Sequence, residues 1–245
     1  MPALIIDEDF ETGSTPWTFT AQETSNGTVT LETSGGIGNS KCLTFATTSA
    51  AASKYARMQQ TVAWAIGTIF STEFWVKLPS GFYTAMTGSV KLVRHDPFPQ
   101  GNNHSSILIS DSTELTQVWL KTDGTETQLG DTWAIPENQW VHIRWVEKLA
   151  NGTDGWVRVH QDGVLVSSAD GVDTMYNDGS NGITRIRWGM VATEDASQTN
   201  ALSLQMDEIK LSTSTPLYFG SNPVDAVYVG SDLVDAIYIG ADQVL

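Results

Sequence analysis

Basic side chains in this sequence recur at every second position of three segments. In residues 140–148, His142 and Arg144 oppose Val141, Ile143 and Trp145; in 155–161, Trp156, Arg158 and His160 oppose Val157 and Val159. In 183–191, Arg185 and Arg187 oppose Ile186, Trp188 and Met190. Successive side chains of a strand point to opposite faces, so this spacing puts four of the six Arg and two of the four His on non-core faces. Guanidinium groups grip carboxylates through charge-assisted, often paired hydrogen bonds, and an imidazole exchanges its proton near neutral pH. One reading is therefore a basic strip that holds an anionic glycan. The other is ordinary outward β polarity, each Arg paired with a cross-strand acid. The spacing alone admits both.

Two tryptophans fit the same chemistry. In 69–78, Glu73, Trp75 and Lys77 oppose Phe70, Thr72, Phe74 and Val76; in 116–121, Trp119 shares a face with Gln117 and Lys121. An indole flanked by hydrogen-bonding groups suits stacking on a sugar ring. Packing beneath a loop is the competing reading. Trp145 and Trp188 are expected in the core. Other chemistry lacks its residues. One Cys and four scattered His give no zinc set, no glycine-rich loop opens a helix, and no serine sits in a nucleophile elbow.

These residues need strands to hold them. Alternating runs separated by Gly, Asn, Asp and Ser are expected at 4–10, 28–32, 42–46, 55–60, 69–78, 89–94, 105–110, 116–121, 140–148, 155–161, 164–168, 183–191 and 201–211. Asp162-Gly163 marks a tight hairpin, since both positions tolerate positive φ. Residues 58–66 are the one place where a helical turn fits. In the last run, Leu202, Leu204 and Met206 share a face that resumes at Ile209 and Leu211, so a bulge is expected at Asp207-Glu208. Many short strands at this spacing predict an all-β antiparallel sandwich or jelly roll over residues 1–213.

A different pattern fills the end of the chain. Tyr recurs at 218, 228 and 238, Gly at 220, 230 and 240, and Val at 224, 234 and 244. Each decapeptide reads as a short strand with a turn, too small to bury its apolar side alone. Residues 214–245 are thus expected to form a β-repeat module that anchors or oligomerises the chain. Tyr218, Val224, Tyr228, Val234, Tyr238 and Val244 would form its shared core, with a homotrimer favoured.

The formal net charge of −15 argues against nucleic acid as a partner. No apolar run has membrane-spanning length, the N-terminus lacks the basic and apolar stretches of a secretory signal, and a lone Cys42 excludes an internal disulfide framework.

The order of Asp9-Phe-Glu-Thr-Gly13, Ser71-Thr-Glu-Phe-Trp-Val-Lys77, Asn138-Gln-Trp-Val-His-Ile-Arg144, Asn151 to Gly163 and Leu204-Gln-Met-Asp-Glu-Ile-Lys-Leu211 resembles the concanavalin A-like lectin/glucanase superfamily, over roughly residues 4–212. That resemblance implies a jelly roll of two sheets, with a structural Ca²⁺ held by Asp9, Glu11 and Asp207. It also implies three possible activities. Glucanases of the superfamily use Glu-x-Asp-x-x-Glu, which is absent; Glu194-Asp195 and Asp207-Glu208 are adjacent pairs that point to opposite faces. Lyases of the fold use a base with Arg or Gln on the uronate, and here His142, His160, Arg144 and Arg158 offer such a set. The lyase signatures Arg-x-Glu-Leu-Arg and Gln-Ile-His are, however, absent. Carbohydrate binding through Trp75, Trp119, Arg144, Trp156, Arg158, Arg185 and Arg187 is the third.

The decapeptide tail resembles C-terminal repeats of tailed-bacteriophage virion proteins. Together these features lead to the expectation of a non-enzymatic phage structural protein on the virion surface, a capsid decoration protein or a tail fibre or appendage. It would contact other virion proteins and copies of itself and bind surface carbohydrate weakly through many copies. A polysaccharide lyase acting on an anionic glycan is the alternative.

Overall fold

Strict alternation of apolar and polar side chains makes each strand two-faced, and two such sheets bury their apolar faces against each other. The computed structural model describes residues 4–11, 21–49, 54–97, 104–110, 113–122, 125–175, 182–193 and 199–213, and short paired strands between 217 and 243. The strands are β1 (Leu4–Glu8), β2 (Ala21–Ser25), β3 (Gly27–Glu32), β4 (Cys42–Thr47), β5 (Tyr55–Ala65), β6 (Ile69–Lys77), β7 (Val90–Pro97) and β8 (His104–Ile109). They continue as β9 (Thr116–Thr122), β10 (Thr125–Trp133), β11 (Trp140–Lys148), β12 (Gly155–Gln161), β13 (Val164–Val172), β14 (Gly182–Thr193) and β15 (Leu202–Ser212).

The first sheet runs β13-β12-β11-β6-β15-β4-β3, with β1 also paired to β15; the second runs β10-β9-β8-β7-β14-β5-β2. The architecture is an all-β jelly-roll sandwich. Phe70, Phe74, Val141, Ile143 and Trp145 of the first sheet and Ile107, Val118, Ile186, Trp188 and Met190 of the second are fully or almost fully buried in one core. The Trp188 Nε1 donates across it to Thr72 Oγ1 at 2.9 Å, satisfying a polar atom that burial would otherwise strand. On one side the two sheets meet where β10 passes β13. At Gly130 (φ 67°), a Cβ would lie 2.6 Å from the Ser168 carbonyl oxygen, so the approach needs glycine.

Two strands escape the sequence pattern. β2 (Ala-Gln-Glu-Thr-Ser) and β10 are the edges of the second sheet, and an edge strand buries too little to need a continuous apolar face. Residues 58–65, where the sequence would have allowed a helical turn, belong to β5, which pairs with β14 and β2. The short helix α1 (Phe82–Ala85) was not foreseen; Glu137 accepts from the Gly81 and Tyr83 amides at 2.8 Å and fixes it. Two local features match expectation. Asp162 (φ 50°) and Gly163 (φ 80°) form the β12–β13 turn. The register of β15 against β6 shifts between Asp207 and Lys210, with Glu208 at φ 44°, which keeps Met206 and Ile209 both buried.

Each decapeptide contributes two short strands that pair with each other, where one strand was expected. β16 (Leu217–Phe219) pairs with β17 (Asn222–Val224), β18 (Tyr228–Val229) with β19 (Asp232–Leu233), and β20 (Tyr238–Ile239) with β21 (Asp242–Gln243). Each pair is its own sheet. Tyr218, Val224, Tyr228 and Tyr238 lie on these strands, while Val234 and Val244 fall outside the described residues.

Candidate functional site

The expected basic strip divides between the two sheets. β11 and β12 carry His142, Arg144, Arg158 and His160 on the outer face of the first sheet, whereas β14 carries Arg185 and Arg187 on the outer face of the second. Strand alternation fixes which face a residue takes within its own sheet, but not which sheet a strand joins.

On the first sheet the charges are matched. Arg144 Nε lies 3.1 Å from Glu73 Oε1, and His142 Nε2 lies 3.6 Å from Glu73 Oε2. Burial alone would raise the Glu73 carboxyl, but the His142 and Arg144 contacts hold it below its ordinary value. Arg158 pairs with Asp170 at 2.5 Å, donates to the Val157 and Ala169 carbonyls, and sits 5.5 Å over the Trp156 ring. His160 is 3% exposed. Burial, with Arg144 and Arg158 beside it, pushes its pKa down to about 4, so it is neutral and enclosed. Trp75 packs on His142, ring centres 5.1 Å apart. Outward polarity with paired acids accounts for this face.

The second sheet is different. Arg94 Nε, Arg185 Nε and Arg187 Nη1 all converge on the carboxylate of Asp96, at 2.5, 3.0 and 2.9 Å. Beside them Arg57 pairs with Glu23 at 2.5 Å, donates to the Val191 carbonyl, and lies 4.1 Å over the Tyr55 ring. Among the described residues four guanidiniums thus face two carboxylates, a positive surplus. These side chains are mostly covered, with Arg187 only 7% and Asp96 3% exposed. Burial, reinforced by Arg57, Arg185 and Arg94 and opposed by Asp96, brings the Arg187 pKa down to about 10. A desolvated guanidinium cluster of this kind has the chemistry to hold a carboxylate, as it holds that of Asp96.

Neighbouring atoms extend it. Arg187 is opposite Arg94 in register, Arg94 opposite Ser106, and Ser106 opposite Trp119. Ser106 Oγ and Trp119 Nε1 are buried and make no hydrogen bond. Each such atom costs about 1–3 kcal/mol unless something fills its valence. Of the residues singled out in the sequence, this face carries Arg185, Arg187 and, three strands from Arg187, Trp119. Arg57, Arg94, Asp96 and Ser106 were missed. Arg57 alternates with Tyr55 and Gln59, and that signal was legible; Asp96 lay beyond the expected end of its strand.

A further polar cluster lies inside the sandwich. His95 and Glu147 are fully buried, and Ser105 nearly so. His95 Nδ1 lies 3.2 Å from Glu147 Oε2 and from Ser105 Oγ. It joins β7 and β8 to β11 across the core, against Trp145 and Phe70.

The proposed Ca²⁺ ligands do not form a cage. Asp207 Oδ2 accepts from the Ile37 amide and Ser40 Oγ at 3.0 and 3.1 Å, and Oδ1 accepts from the Glu208 amide. Glu11 Oε1 accepts from the Lys41 amide at 2.7 Å, and Asp9 Oδ1 from the Glu11 amide. Among the described residues no three His, Cys, Asp or Glu side chains gather as metal ligands. These carboxylates pin loops, and they do not fit the ion.

No protein-family model matches the sequence, and no characterised protein matches it in sequence. Solved structures share its fold. An endo-beta-1,4-glucuronan lyase from the fungus Trichoderma reesei superposes with a TM-score of 0.62 at 14% identity, over 80% of this chain and 91% of that one. The cellulose induced protein Cip1 gives 0.59 at 16%, over 85% and 97%. The botulinum neurotoxin serotype C1 binding domain gives 0.59 at 12%, over 91% of this chain and 50% of that one. The jelly-roll sandwich is thus a fold this chain shares with them. The expectation of a non-enzymatic protein is corrected here, since an endo-glucuronan lyase is among the solved structures that share the fold.

Proposed function

We propose that this chain binds an acidic polysaccharide on the outer face of its second sheet and cleaves it by β-elimination. The observation that carries this reading is the convergence of Arg94, Arg185 and Arg187 on one carboxylate, in a protein of formal net charge −15. A local positive surplus against that overall charge suits a uronate. In the elimination, guanidiniums neutralise the sugar carboxylate, which makes the C5 proton removable. A base takes that proton, its electron pair forms the C4–C5 double bond, and the C4–oxygen bond breaks with the leaving oxygen taking a proton. Tyr55, packed on Arg57, is a phenol on this face that can take part in the proton transfer. The likeness in fold to a glucuronan lyase supports the same choice.

The test offers polyglucuronate, alginate and pectate to the purified protein and follows the ultraviolet absorbance of the unsaturated uronate. Absorbance should rise with wild type and vanish in Arg187→Ala and Tyr55→Phe, the latter still binding polymer. Binding without any absorbance change would refute the elimination, and no binding to any of the three would refute the whole reading.

The C-terminal hairpins complete the proposal. Among the described residues each two-stranded unit pairs only with itself, and joining copies of the chain, as a trimer, would pair the remaining edges. Display on a larger particle such as a phage tail suits this arrangement.

A further inference from the structure

We infer that the second sheet carries a distinct sugar subsite at Trp119, and that the glycan lies across the strands, one ring to each strand, with Ser106 between this subsite and the guanidinium cluster. This rests on the reading that the face engages an acidic polysaccharide.

The argument begins with register. Gln59, Arg187, Arg94, Ser106, Trp119 and Gln128 stand directly opposite one another on β5, β14, β7, β8, β9 and β10, one polar or indole side chain per strand. Neighbouring strands are about 4.8 Å apart, so the row spans roughly 24 Å across the sheet. A 1,4-linked pyranose chain advances by about one strand spacing per ring. Trp119 is two strands from Arg94, hence two sugar units from the ring whose carboxylate meets Arg94 and Arg187.

The polar atoms at the ends of the row have partners and two between them do not. Gln59 Oε1 faces Arg187 Nε at 3.5 Å, and Gln128 Nε2 donates to the Gly130 carbonyl at 3.0 Å. Ser106 Oγ and Trp119 Nε1 have no partner, although both atoms are buried. Adjacent unmet groups, one of them on an indole that offers a face for stacking, match a sugar ring presenting a hydroxyl edge. The Trp119 subsite therefore reads ring shape and hydroxyls, while the carboxylate is read at the arginines. A glycan along β14 would instead meet Arg185 and Arg187 and would leave both atoms unmet.

The experiment measures binding of acidic oligosaccharides of two to six units by titration calorimetry, with active protein slowed by Tyr55→Phe. Trp119→Ala should weaken tetramers and longer chains at least tenfold and change the dimer less than twofold. Ser106→Ala removes an unmet hydroxyl, so it should leave the melting temperature unchanged or raise it, yet weaken long chains several-fold. Equal loss at every length, or none at any length, overturns the subsite while the parent reading stands. A parent protein that binds no oligosaccharide of any length overturns both.

Discussion

Replacing Asp96 by Asn removes the one carboxylate that Arg94, Arg185 and Arg187 share. The side chains of those arginines are 19%, 13% and 7% exposed, and that of Asp96 is 3% exposed, so little water replaces the lost charge. Breaking a buried ion pair by deleting one partner costs about 3–5 kcal/mol, and the partial exposure of Arg94 places this case near the lower end. For a domain of this size each kcal/mol shifts the midpoint by about 2–4 °C, which gives a fall of roughly 6–12 °C. Thermal unfolding followed by circular dichroism measures it. Because the damage is mutual repulsion of guanidiniums, sodium chloride should restore part of the loss, and an acidic oligosaccharide should restore more in the variant than in wild type. A midpoint within about 2 °C of wild type, less than 1 kcal/mol on the same scale, would show that Asp96 is not the counter-charge, and the surplus argued for this face would fail.

His160 predicts a pH dependence confined to acid. Its folded pKa of about 4 lies below the ordinary 6.5, so between those values the unfolded chain holds the extra proton. Stability should fall as pH drops from about 6.5 to 4 and then level, by at most about 3 kcal/mol for a shift near 2.5 pH units. Urea titrations at pH 7 and 5 should show this slope reduced in His160→Gln; equal slopes would count against the buried neutral imidazole. Deleting residues 217–245 should leave the sandwich folded, with its near-ultraviolet spectrum intact, and reduce its mass in light scattering to that of one chain. Retention of the full-length oligomeric state would remove the tail from the assembly.

Alternation made much of the fold legible. The thirteen runs read from the sequence all became strands, and the broken phase at Asp207-Glu208 became the bulge at Glu208. Edge strands β2 and β10 were missed because neither needs a continuous buried face. The hairpins of the tail show a shorter-range limit: a decapeptide with one conspicuous apolar run also pairs its own second half.

For the site, the sequence determined which residues leave the core, since the period of two along a strand is a local property. It put Arg144, Arg158, Arg185 and Arg187 on outer faces, and Trp145 and Trp188 inside. It could not determine company. Whether a guanidinium meets its own acid depends on strand order, which is fixed by contacts between residues far apart in the chain. Tertiary structure sent Arg144 to Glu73 and Arg158 to Asp170, where charges cancel. It gathered Arg57, Arg94, Arg185 and Arg187, drawn from three strands, around too few carboxylates to match them. The same local pattern thus gave charges paired one to one on the first sheet and a crowded guanidinium cluster on the second, because the partners of an outward side chain are set by the strands that the fold lays beside it.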